Sequence, residues 1–252
     1  MRLRQVALAS YDLDGVVAAL GEVFGLKVAY NDPHIGHYGL KNAVLPAGTG
    51  FIEIVEPIAD GASAGRFLAR RGGDAGYMLI IQTADAKAET ARVAALGVRV
   101  VDSIDRPDYI FSHFHPADFG GVLTSFDEQL TEPDPLAPYG DWMPAGPDWR
   151  EARTDGVVDL VGVTLESPEP FALAARWSQL LGRPLSNTDP LCLPMDHGQI
   201  RFAPSAGTGT SMSTLDLRLA DPAAALARAG AAGLAVNNQG VQIGGLLITV
   251  QA

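Results

Sequence analysis

Three stretches carry side chains that could do chemistry. In "DYIFSHFHP", Tyr109, Phe111, His113 and His115 alternate with their neighbours, which on a strand aims all four at one face. Two imidazoles two residues apart can reach one metal ion, but no acid follows at a matching spacing. His113 is the candidate for ligand contact, because an imidazole exchanges protons near neutral pH. In "GFIEIVEP" one acid, Glu53, stands between Ile52 and Ile54 and shares a strand face with Phe51 and Val55. Such a carboxylate either lies on the wet face of a half-buried strand or is enclosed among apolar groups. Enclosure would raise its pKa and suit it to proton transfer. The third stretch, "HPADFGGVLTSFDE", sets a Gly-Gly pair before an apolar run with Ser125 in its middle, and "GGLLITVQ" writes the same strand entry again near the C-terminus.

Other reactive types read as structural. His34 and His37 in "DPHIGHYG" are loop histidines exposed to solvent, and His197 in "DHGQI" is a turn residue. Arg70 and Arg71 before "GGD" read as a surface connector. The glycines at 230–233 end a helix and cradle no phosphate, since no strand–glycine-loop–helix order surrounds them. There is no nucleophile elbow.

Composition bounds the elements that must position these groups. The chain has 252 residues, 47% of them hydrophobic, enough for one large domain or two of about 100–150 residues. No apolar run approaches the ~18 residues of a membrane span, and Asp12 and Asp14 interrupt any leader-like core, so a cytoplasmic protein is expected. The single cysteine, Cys192, rules out an internal disulfide and a cysteine-cluster metal site. A formal charge of −11 with no basic stripe argues against nucleic acid.

The elements repeat. From Gln5 to Gly25 a strand leads through Asp12 into a helix, and the same interval recurs from Gly162 to Gly182. Met78 to Gly97 matches Thr214 to Gly233, with Asp85 and Asp221 coinciding before the helices and a glycine ending each, as a left-handed C-cap prefers. β-like segments separated by turn residues follow every helix. Each module reads strand–helix–strand–strand–strand, four times, with the last shortened: Gly97 to Gly121 spans 24 residues, Gly233 to Gly245 only 12. The expected organisation is a first domain at 1–128, a Pro-, Asp- and Gly-rich linker at 129–155, and a second, shorter domain at 156–252. Trp142 and Trp149 would pin that linker onto a domain surface.

This repeat, with "VALASYDLDGVVAALGEVFGLKV", "GFIEIVEP" and "HPADFGGVLTSFDE", resembles the vicinal-oxygen-chelate superfamily of glyoxalase I, methylmalonyl-CoA epimerase, extradiol dioxygenases and bleomycin-resistance proteins. The resemblance covers nearly the whole chain. It implies an α+β fold of four βαβββ modules, forming two curved, mixed-sheet half-barrels, the N-terminal one cupping a small organic molecule and the second acting as a structural pseudo-copy. Metal-dependent members hold a divalent ion at four equivalent positions, which here fall on Gln5, Glu53, Met78 and Ser125. In the C-terminal half they fall on Gly162, Arg201, Thr214 and Thr249. One carboxylate and one amide are too few for a divalent ion, a thioether suits soft metals, and a guanidinium repels a cation. His115 before Pro116 matches a structural histidine of epimerase-like relatives.

The resemblance thus implies a metal-free site with no cofactor in the N-terminal cup. Glu53 and His113 are the candidate catalytic residues there, and Gln5, Met78, Tyr109, Phe111 and Ser125 the candidate ligand-binding ones. The expected partner is a small molecule, neither nucleic acid nor membrane, with the chain a monomer or homodimer. A metal-free isomerase, epimerase or lyase is one reading. A non-catalytic, ligand-sequestering protein of the resistance type is the alternative, ahead of a metal-dependent dioxygenase or lactoylglutathione lyase.

Overall fold

The computed structural model describes residues 1–186 and 191–252. Each repeat opens with a strand that pairs parallel to the last strand of the same repeat. In the first repeat β1 (Arg2–Ala9) leads into α1 (Leu13–Phe24), then β2 (Leu40–Ala47) and β3 (Gly50–Pro57) form an antiparallel hairpin, and β1 runs parallel to β3. A second helix, α2 (Ser63–Arg71), precedes β4 (Ala75–Gln82). The second repeat continues through α3 (Ala86–Ala94), β5 (Val100–Asp105), β6 (Tyr109–Phe114) and β7 (Leu123–Gln129), with β4 parallel to β7. The third comprises β8 (Val157–Ser167), α4 (Pro170–Leu181), β9 (Leu191–Pro194) and β10 (Gln199–Pro204). The fourth comprises β11 (Ser211–Leu219), α5 (Pro222–Ala231), β12 (Gly240–Ile243) and β13 (Leu246–Gln251). Two mixed sheets result, ordered β2-β3-β1-β4-β7-β6-β5 and β12-β13-β11-β8-β10-β9, so the fold is α+β. Among the described residues no helix is long and apolar enough to cross a membrane.

Local chemistry explains the helix limits. Asp12, Asp85 and Asp221 each accept a hydrogen bond from the backbone N–H three residues on, capping α1, α3 and α5. After α3, Val98 N donates to Val93 O at 3.2 Å and Gly97 N to Ala94 O at 2.9 Å, with Gly97 at φ 84°. α5 closes alike around Gly233, through Leu234 N to Ala229 O at 3.0 Å. These paired bonds require a left-handed residue, hence the repeated glycines.

The pairing register supports the internal alignment. Ala7 stands opposite Glu53, and Thr164 opposite Arg201. Ile80 stands opposite Ser125, and Asp216 opposite Thr249. Glu53 and Arg201 therefore occupy the same place in their modules, as do Ser125 and Thr249. Both Gly-Gly pairs share a backbone too: Gly120, Gly121, Gly244 and Gly245 all have positive φ.

Two expectations are corrected. The strand expected directly after the helix is present in the second repeat as β5, but in the first it shrinks to one bridge, Tyr30 with Val44. In the last repeat, expected to be shortened, Val236 bridges Val241. In "LKVAYND" Lys27 and Val28 are exposed, so that outermost position has little apolar surface to bury and only the residues at Tyr30 are held. Arg70 and Arg71, expected in a connector, form the last turn of α2, which Gly72 ends in the left-handed region. α2 lacks a side-chain N-cap; burial of Ala64 and Leu68 holds it, and the two arginines suit its C-terminal dipole.

The described chain divides into two compact units. One contains Met1–Arg4, Met78–Met143 and Gly162–Met212, and the other Gln5–Tyr77, Pro144–Val161 and Ser213–Ala252. In the first, Phe114, Phe119 and Phe126 form an aromatic cluster with Trp177, whose Nε1 donates to Phe119 O at 3.0 Å. In the second, α1 packs on α5, and Arg228 Nε donates to Val23 O at 2.9 Å. The 129–155 stretch supplies short 3-10 turns rather than strands after Gln129. Its Trp142 and Trp149 are fully buried, Trp149 edge-on to Phe51 at 4.9 Å and Trp142 edge-on to Tyr109 at 5.9 Å.

Candidate functional site

The face of the sheet that carries Glu53 is built by three strands of one unit. β3 presents Phe51, Glu53 and Val55, β1 presents Gln5 and the small Ala7, and β2 presents Asn42 and Val44, because residues two apart on paired strands share a face. Val44 stands directly opposite Glu53 across the hairpin. Gln5 Nε2 donates to Glu53 Oε2 at 2.8 Å, and Asn42 Nδ2 donates to Oε1 at 2.7 Å. Glu53 is 8% exposed, Gln5 1% and Asn42 5%.

Both ends of this face are roofed. α2 packs Ala64 and Leu68 against Ala9, Leu40 and Val55, with Phe67 and Tyr77 beside them. At the other end Trp149 covers Phe51. Burial pushes the Glu53 carboxyl group above its ordinary value, opposed by the two amide hydrogen bonds and assisted by the negative charge of Asp32. Tyr77 is also pushed up, first by burial; its hydroxyl lies 3.1 Å from Ser63 Oγ. A carboxyl group held by neutral amides and destabilised as an anion is suited to taking and returning a proton.

The other unit holds the remaining candidates. Tyr109, Phe111 and His113 share a face of β6, and His113 stands opposite Ser125 on β7. Phe111 and His113 stack at 4.3 Å with an 18° interplanar angle, both half-buried. Burial holds the His113 pKa down at about 4, opposed by Asp102, whose carboxylate is 3.9 Å away. At neutral pH this imidazole is neutral and presents a flat, polarisable ring stacked on Phe111. Tyr109 and Ser125 are turned inward: both hydroxyls donate to the buried Asp127. Met78 is buried on β4 opposite Leu123. His115 caps the 3-10 turn Pro116–Phe119, its Nδ1 accepting from Ala117 N at 3.2 Å. Gln5 and Glu53 are thus brought together, as are Tyr109, Phe111, His113 and Ser125.

Three contributors escaped the sequence reading. Asn42 was legible in principle, since the "AGTG" turn sets a register that places it on the Glu53 face. Asp127 lies two residues beyond Ser125, hence on the same strand face. The roofing by α2 left no local signal.

The donor set is a poor match for the divalent ion of metal-dependent relatives. Glu53 already accepts two amide N–H groups, Met78 offers a thioether, and the Ser125 hydroxyl is committed to Asp127. Arg201, the counterpart of Glu53, donates through Nε to Thr164 Oγ1 at 3.2 Å. Among the described residues no three His, Cys, Asp or Glu side chains are grouped to hold a metal.

Residues 6–181 match the family model described as a glyoxalase-like domain. The chain belongs to this glyoxalase-like family, within the vicinal-oxygen-chelate superfamily. No curated protein matches it. A variant of 4-hydroxymandelate synthase from Streptomyces coelicolor shares the fold across 93% of this glyoxalase-like chain and 75% of its own, at 14% identity and a TM-score of 0.66. A Streptomyces coelicolor methylmalonyl-CoA epimerase variant, in complex with 2-nitronate-propionyl-CoA, is 26% identical over 50% of this chain and 96% of its own, with a TM-score of 0.45. The Mycobacterium tuberculosis epimerase is 25% identical over 51% and 87%, with a TM-score of 0.46.

Proposed function

We propose that the protein binds a small organic molecule over the Glu53 face and exchanges a proton with it through Glu53, without a resident metal ion. The reaction class is that of an isomerase, epimerase or lyase acting at an acidic C–H bond. The observation that carries this reading is the enclosed Glu53 carboxyl group between Gln5 and Asn42. As base, a Glu53 oxygen takes the proton from carbon; the C–H electron pair moves into the substrate, where an electron-withdrawing group such as a carbonyl holds it. The Gln5 amide, beside the carboxyl group, is the donor proposed for the developing oxyanion. Return of the proton from Glu53 to the same or a neighbouring atom completes the turnover.

The stacked Phe111–His113 pair favours a second reading, in which a flat ligand is sequestered and not transformed. Thermal-shift screening against acyl-CoAs, catechols and aromatic natural products would find ligands. Solvent deuterium incorporation into each ligand then separates the two. The wild type should label its ligand, and Glu53→Gln should label it at least about a hundredfold more slowly while still binding. Binding with no labelling by the wild type would leave sequestration, and equal labelling by the variant would remove Glu53 from the chemistry.

A further inference from the structure

A chain of hydrogen bonds ties the loop between α1 and β2 to Glu53. The backbone N–H of Asp32 donates to Asn42 Oδ1 at 2.8 Å, which leaves Asn42 Nδ2 to donate to Glu53 Oε1 at 2.7 Å. Asn31 Nδ2 donates to the Asn42 carbonyl at 2.5 Å. Asp32 Oδ1 accepts from His34 N at 2.8 Å, and the turn Ile35–Tyr38 follows, closed by His37 N to His34 O at 3.0 Å. The Asn42 amide therefore has one satisfactory orientation. Flipped, it would set an N–H against the Asp32 N–H and an oxygen against the carboxyl group of Glu53.

We propose that Asn42 and Asp32 are positioning residues, through which the seating of the 31–38 loop sets how readily Glu53 takes up a proton. This deepens the reading of Glu53 as the proton-exchanging group and rests on it. The loop acts in two opposed ways. The Asp32 charge disfavours the Glu53 anion, whereas the Asn42 hydrogen bond favours it. From the other elements of this unit packed around the group come the Gln5 amide on β1 and the Tyr77 hydroxyl on β4, with Arg66 and Arg70 of α2 acting on Tyr77. A ligand that lifts the loop would remove both of its influences and leave the carboxyl group held by Gln5.

The opposed signs make the proposal testable without a known substrate. Full-length protein carrying 13C-carboxyl glutamate is titrated by NMR, with Glu53→Gln identifying the Glu53 signal. Asp32→Asn keeps the backbone N–H, and its side-chain oxygen can still accept from His34, so only the charge is lost; the Glu53 midpoint should move to lower pH. Asn42→Ala removes the favourable hydrogen bond, and the midpoint should move to higher pH. Unchanged midpoints, or shifts in the same direction, overturn the proposal. Should Asn42→Ala fail to fold, Asp32→Asn decides alone, and a wild-type midpoint in that variant overturns it. Opposed shifts in a protein that labels no ligand would leave this inference standing and remove only the proton-transfer reading.

Discussion

Glu53 and His113 respond to burial with opposite shifts because they carry opposite charges. Enclosure disfavours the charged form of each, so the carboxyl group is pushed up and the imidazole down. For His113 the consequence for stability has a definite sign. Its folded pKa of about 4 lies below the ordinary histidine value of 6.5, so between those values the unfolded chain binds more protons. The stabilisation is fully present above pH 6.5 and is lost as pH falls towards 4. It amounts to at most about 3 kcal/mol, and less in practice, because the side chain keeps 23% of its surface in water. His113→Phe preserves the stack on Phe111 and cannot titrate. Urea unfolding at pH 7 and pH 4.5 should show a smaller acid-induced loss in this variant than in the wild type; equal losses would mean that His113 is not held neutral by burial.

The repeated elements place their strain at the second Gly-Gly pair. Gly245 has φ 77°, and a Cβ there would lie 1.8 Å from the Asp74 carbonyl oxygen. Gly230 lies within α5, and a Cβ there meets nothing within 4 Å. The same substitution should therefore act in opposite directions. Gly230→Ala gains about 0.5–1 kcal/mol by removing backbone freedom from the unfolded chain. Gly245→Ala loses more than about 1 kcal/mol, since alanine meets both an unfavourable φ and a backbone atom. Equilibrium unfolding of the two variants checks the pair, and a neutral Gly245→Ala would contradict the close approach of β13 to the residues before β4.

At the scale of the molecule, four modules share one strand register but not one chemistry. Where the first presents the Glu53 carboxyl group, the third presents the Arg201 guanidinium, and among the described residues no three His, Cys, Asp or Glu side chains are grouped to hold a metal. Elemental analysis of the purified protein should find no stoichiometric iron, manganese, nickel or zinc, because the equivalent positions offer so few imidazole and carboxylate donors. One tightly bound ion per chain would redirect attention to the histidines of β6 and its exit. Once a ligand is found, Glu53→Ala or His113→Ala should weaken binding or turnover in a folded protein, and Arg201→Ala should change little. The reverse pattern would place the working pocket in the C-terminal half.

The sequence by itself determined the fold family, the fourfold repeat, the aspartate caps, the glycine helix ends and the equivalence of Glu53 with Arg201. These features are local, or repeat at a fixed interval, so backbone hydrogen bonding within a few residues and the two-residue strand period write them directly into the chain. Only the tertiary structure decided that the post-helix strand of the first module shrinks to a single bridge, since that depends on what an outermost strand can bury. It also decided α2, a nine-residue helix with no side-chain N-cap and an internal glycine, which exists because Ala64 and Leu68 find Val55 and Leu40. The Glu53 site itself divides along the same line. Glu53 and Gln5 could be named through the family resemblance, but the burial and the Asp32 charge that raise the carboxyl group's proton affinity, and the Asn42 hydrogen bond that opposes them, depend on positions that only packing between distant segments could fix.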